Sequence, residues 1–177
     1  AVTFDREGNV FMAGETTDEG TFGDLTRAGL GSTDFFLTKL SPTGKFLWIR
    51  SLGGSLVDRG YGVATDPAGN AYVTGHYQST DAKANGQLLP NSGDYDVFIA
   101  KYDTQGALIW IKTAGGKGYD YGHGIVVDSK GDIIIKLDNQ EINTYRSSAN
   151  LPRRLCRINH LKILILSACM TFFRKLI

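Results

Sequence analysis

Residues 62–75, "GVATDPAGNAYVTG", restate the opening "AVTFDREGNVFMAG", and a third version, "GIVVDSKGDIII", begins at Gly124. A shift of 61 residues lays Asp5, Gly8, Asn9 and Gly14 on Asp66, Gly69, Asn70 and Gly75. A shift of 62 lays Asp34, Phe36, Lys39, Gly44, Trp48 and Ile49 on Asp96, Phe98, Lys101, Gly106, Trp110 and Ile111. It also matches Gly53, Gly54, Asp58, Gly60, Gly62, Asp66 and Gly69 with Gly115, Gly116, Asp120, Gly122, Gly124, Asp128 and Gly131, for 13 identities in 37 aligned positions. Such a period constrains the fold strongly. Each copy must be a unit that cannot bury its own surface and therefore stacks on the next.

Each unit reads as four short strands. In the second, "GVATD" leads into the turn "DPAGN", where Pro67 presets φ and Gly69 can take a positive φ. "AYVTGHYQ" follows, then a polar loop over 79–94, then "DVFIAKYD", the tight turn "DTQG" and "ALIWIKT". Five- to eight-residue runs rich in β-branched and aromatic residues, separated by glycine turns, are an all-β pattern. No amphipathic helical period interrupts residues 1–131. Four antiparallel strands repeating at this spacing predict β-propeller blades. Phe36/Phe98 and Trp48/Trp110 are expected to fill the space between blades. The links "GGSLVDRGYG" and "GGKGYDYGHG" are expected to lead from one outer strand to the next inner strand. The expected units are 1–61, 62–123 and the start of a third at 124–135. Two units and part of a third make an open, partial propeller, expected to be a piece of a longer protein cut at both ends and completed by neighbouring blades of that chain.

The run D-F-F-L-T-K-L-S-x-x-G-x-x-L-W, followed by Gly-Gly, Asp58 and "GVATDPAGNAYVTG", resembles the SBBP-type β-propeller repeat. The likeness covers residues 1 to about 135. The NHL-type propeller is the nearest competitor, but its units are shorter and lack the long loop and the Gly-Gly link. The resemblance implies a secreted or cell-surface protein in which the repeat is architecture, with no shared catalytic residues.

Composition changes near residue 136. Residues 1–136 carry 12 basic and 16 acidic side chains, a net of −4, while 137–177 carry 7 and 2, a net of +5. All 22 glycines lie at or before Gly131, and both cysteines, Cys156 and Cys169, lie in the tail. The tail 136–177 is therefore read as divergent. The explanations are a shifted reading frame or unspliced segment, a terminal helix capping the open edge, or a membrane-interface anchor. Its run "LKILILSACMTFF" is short for a membrane span, which takes about 20 apolar residues. With a formal net charge of +1 the chain has no long-range field for nucleic acid.

No catalytic, metal or cofactor constellation is legible. Asp5, Asp66 and Asp128 recur in Asp-x-x-Gly contexts suited to capping a hairpin turn. Ser51, Ser55 and Ser79 lack a nucleophile-elbow context. His76 and His123 are expected near different ends of their blades. Propeller ligands meet one open end of the ring, which nominates Asp58, Tyr61, Asp120 and His123 in the links as ligand-binding residues. The expected function is a non-enzymatic scaffold or binding module for a protein or glycan ligand. The alternative is a piece of a lyase- or quinoprotein-like propeller enzyme whose active residues lie in other blades.

Overall fold

The computed structural model describes residues 1–128, 131–139, 155–158 and 161–164. Its first sheet joins β1 (Val2–Phe4), β2 (Val10–Thr16), β5 (Asp34–Leu40) and β6 (Phe46–Gly53), all antiparallel neighbours. The second joins β7 (Asp58–Thr65), β8 (Ala71–Tyr77), β11 (Asp96–Tyr102) and β12 (Leu108–Ala114) in the same order. A third begins with β13 (Asp120–Val127) and β14 (Ile133–Asn139). These are propeller blades, two complete and one begun. The barrier to a lone sheet is its second apolar face, and stacking removes it: Phe11, Phe35, Leu37, Trp48 and Leu52 of the first blade share one core with Val63, Val73, Phe98, Ala100 and Tyr102 of the second. A second core unites Tyr72, Val97 and Ile99 with Ile125, Ile133 and Ile135.

The recurrent tryptophan works across the junction. Trp48 is buried, meets Phe11 edge-on at 5.9 Å, and donates its indole N–H to the Thr104 carbonyl of the next blade at 3.2 Å. Trp110 is half-buried against Tyr72. Phe98 fills the gap between blades by meeting Phe35 at 5.1 Å. Phe36, its counterpart, packs against Phe22 at 5.0 Å.

Two features depart from the sequence reading. The polar loops between second and third strands contain short hairpins: β3 (Gly20–Phe22) with β4 (Leu25–Arg27), and β9 (Lys83–Ala84) with β10 (Gln87–Leu88). The second hairpin leaves its own blade and pairs with the outer strand of the first, Ala84 opposite Leu52. The inner strands also begin earlier than expected, at Asp58 and Asp120, so the unit boundaries at 61/62 and 123/124 fall inside β7 and β13.

The first inner turn is built alike in each unit. Asp5 Oδ1 accepts from the amides of Glu7 and Asn9, and Asp66 Oδ1 from those of Ala68 and Asn70, all at 2.9–3.0 Å. Gly8, Gly69 and Gly131 take φ of 80, 81 and 81°, which explains why glycine recurs there. In the Gly-Gly links the first glycine makes room for an aspartate. A Cβ on Gly53 would stand 2.1 Å from Asp34 Oδ1, and one on Gly115 would stand 1.7 Å from Asp96 Oδ1.

β14 runs through residue 136 to Asn139. Beyond it, β15 (Leu155–Ile158) and β16 (Leu161–Leu164) form an antiparallel pair. The helix or interface anchor expected over the rest of the tail lies outside the described residues. Among the described residues no helix is long and apolar enough to cross a membrane.

Candidate functional site

Asp58 and Asp120 do for the links what Asp5 and Asp66 do for the turns. Asp58 is fully buried, and its carboxylate accepts from the amides of Gly54 at 2.8 Å, Gln78 at 3.0 Å and Ser79 at 3.2 Å, and from the Ser79 hydroxyl at 2.7 Å. Burial pushes its carboxyl above the ordinary value, against the pull of those donors. Asp120 is likewise buried and accepts from the Gly116 amide at 2.8 Å. The same contact, from the amide four residues back, recurs at Asp34 with Leu30 and at Asp96 with Ser92. The first link is further held by the next blade's loop: Ser79 Oγ accepts from Leu56 N, and Asp81 Oδ1 from Ser55 N. Both nominated aspartates therefore stand behind the surface and fix the backbone that carries their neighbours.

Tyr61 and His123 stand on that surface. Each is the extra residue of a bulge in an inner strand, where the register skips from Gly60 to Gly62 and from Gly122 to Gly124. A bulge re-aims its side chain out of the ladder. Flanking glycines leave space for the turn. Tyr61 stacks on His76 at 5.2 Å and meets His123 edge-on at 5.8 Å. The two histidines thus lie at one end of the blades, contrary to the sequence expectation. That expectation started the inner strand at Gly62; with the strand starting at Asp58, Arg59 pairs with His76 and the link end coincides with the end of β8.

The sequence reading missed three further members. Tyr95 and Tyr119 form an isolated parallel bridge that ties one blade to the next, where Asp120 N–H donates to Tyr95 O at 2.9 Å. Tyr121 meets His76 at 4.7 Å, Tyr95 at 5.7 Å and His123 at 6.0 Å. Tyr119, just before β13, Tyr121 and the bulged His123 are spaced two residues apart; the first two rings are parallel within 11° at 6.3 Å. Tyr61, Tyr119 and His123 are exposed, whereas His76 is only 2% exposed at the bottom of the cluster. Its Nδ1 has no hydrogen-bond partner. Burial, then the charges of Arg59 and His123, push His76 down to about 4. The signal available in sequence was the two-residue spacing of Tyr119 and Tyr121 in "GYDYGHG", which puts that pair on one side of an extended chain; the bulge that places His123 leaves no such mark.

At the opposite end the inner turns enclose an open hollow of about 310 Å³ lined by Phe4, Asp5, Thr65, Asp66, Val127 and Asp128. Its acids are committed. Lys39 lies 3.3 Å from Asp5 and 5.0 Å over Phe11, and Lys101 lies 3.6 Å from Asp66 and 4.8 Å over Tyr72. Burial would raise both carboxyls, but the Asn9 and Asn70 donors and the lysines hold them below the ordinary range. Among the described residues no group of three His, Cys, Asp or Glu could hold a metal ion.

Residues 47–76, from the outer strand of the first blade through β8, match the Beta-propeller repeat family, SBBP. That stretch is a propeller repeat of the SBBP type. The SBBP match spans Trp48, the Gly53–Gly54 link, Asp58, Tyr61 and His76, so it includes the structural aspartate and two members of the cluster. The chain is also similar to an uncharacterized WD repeat-containing protein of Acanthamoeba polyphaga mimivirus, 25% identical over 137 residues, which are 73% of this chain and 10% of that protein. It thus spans a tenth of that relative's length. Both matches are to repeat-built proteins.

Proposed function

We propose that the chain is part of a binding propeller presented outside the cell, acting by recognition and not by catalysis, with its ligand surface at the bulge end of the blades. One observation carries this reading. The skeleton of that end repeats, while the side chains on it do not. Glu15, Thr33, Val57, Arg59 and Tyr61 at the first junction are replaced by His76, Tyr95, Tyr119, Tyr121 and His123 at the second. The backbone bridges Thr33–Val57 and Tyr95–Tyr119 are the same, so architecture does not dictate the difference. Positions whose side chains vary while the frame beneath them repeats are where a scaffold carries specificity. The secreted setting is supported by the company the SBBP repeat usually keeps.

A fragment screen followed by NMR tests the placement. Hits are expected to move the ring resonances of Tyr61, Tyr119 and His123. Hits that gather at the Asp5–Asp66 end instead would overturn it. Fractionation of the source cells tests the location, and a cytoplasmic protein would refute that half.

A further inference from the structure

Resting on that placement of the ligand surface, we infer that the second junction, bordered by Tyr61, Arg59 and Glu15 from the first, takes a neutral carbohydrate, its pyranose rings lying on the tyrosines. Three properties of the surface converge. The rings are close-set and fixed: Tyr95 is wedged between Tyr119 at 5.4 Å and Tyr121 at 5.7 Å, and Tyr61 is stacked on the buried His76. Aromatic groups held by their neighbours lose little entropy on binding. They offer a clustered, weakly polar aromatic surface of the sort that C–H-rich sugar faces cover.

The rim supplies both hydrogen-bonding senses. Arg59 lies across the strand from His76 and forms an ion pair with Glu15, and both side chains are 39% and 47% exposed. A sugar hydroxyl donates and accepts at once, so it can use the carboxylate, the guanidinium and the phenols together. A proline-rich peptide presents carbonyl acceptors and no donors from proline, which leaves the Glu15 carboxylate unused. A nucleic acid would meet this acid and a repeated region of net charge −4 with no cationic track. The surface therefore favours an uncharged polyhydroxylated ligand.

The test is titration of the full chain with cellohexaose, maltohexaose and chitohexaose, with decaproline in parallel, read by tyrosine fluorescence and aromatic NMR. Saturable binding of one of these oligosaccharides is expected. Tyr119→Ala and Tyr61→Ala should each weaken it roughly three- to tenfold, and Leu88→Ala, at the exposed hairpin tip, should not. Tyr119→Phe keeps the ring and should lose less than Tyr119→Ala; Glu15→Gln should weaken binding with the rings intact. Circular dichroism checks that each variant is folded. If decaproline and none of the sugars moves the same rings, carbohydrate recognition is refuted and the site survives. If the sugars bind but only the Asp5–Asp66 end responds, the site is refuted as well. Failure of all three sugars to bind overturns the inference.

Discussion

His76 gives the cluster a pH dependence whose size can be worked out. Its ordinary value is 6.5, and in the fold it is pushed down to about 4, by burial first and then by Arg59 and His123. The folded protein thus resists taking a proton that the unfolded chain accepts. Above pH 6.5 the ring is neutral in both states and costs nothing. Between pH 6.5 and about 4 only the unfolded state is protonated, so stability falls as pH falls, by about 1.4 kcal/mol for each pH unit. By pH 5 the loss is about 2 kcal/mol, and it levels off at about 3 kcal/mol near pH 4. Asp5 and Asp66, whose carboxyls lie below 3.8, add nothing in that window. Asp58, whose carboxyl is raised, works the other way, gaining stability as pH falls, but it does so equally in wild type and variant. The comparison is urea unfolding of wild type and His76→Phe at pH 7.5, 6, 5 and 4.5. The wild type should lose stability relative to the variant by the amounts above. Parallel pH curves, or a His76 ring that titrates near 6.5 by NMR, would refute the reasoning.

Other substitutions probe the frame. Asp58→Ala strands three buried amides and the Ser79 hydroxyl, and should cost about 3 kcal/mol or more in chemical denaturation. Gly53→Ala drives a methyl into Asp34 and should lower the melting temperature by many degrees, whereas Gly116→Ala, whose Cβ would come no nearer than 3.8 Å to Asp120, should be close to neutral. Trp48→Ala should cost about 4 kcal/mol, and Trp110→Ala, at a half-buried ring, about half that; equal losses would mean that the two junctions are not packed as described.

The stacked sheets were legible because the repeat exposes them twice. Residues that recur at both copies, such as Trp48 with Trp110 and Asp58 with Asp120, hold backbone and core, and self-comparison finds them. The hairpin over 83–88 was not legible. Two-residue strands in a polar loop carry no alternation, and their partner, Leu52–Gly53, lies in another blade. Nor was the aromatic cluster. Its members differ between copies, so a search for identity passes over them, and Tyr61 and His123 reach it only through a one-residue bulge that spacing does not reveal. The same comparison can be inverted: where a repeated frame carries unlike side chains, as at Tyr61 and His123, the difference itself marks the surface.

The β9–β10 hairpin decides where this protein can be cut. It belongs to the second blade in sequence but closes the edge of the first, while Ser79 and Asp81 beside it hold the first link. A fragment that begins at the sequence boundary, near Gly62, carries away the clasp and leaves the strand it fastened with bare amides and carbonyls. A cut beyond Leu88 keeps the clasp but parts β8 from β11 and so opens the second blade. Dissection at the period of the repeat bares one sheet edge and dissection at the clasp bares another, so the two blades come away together or not at all.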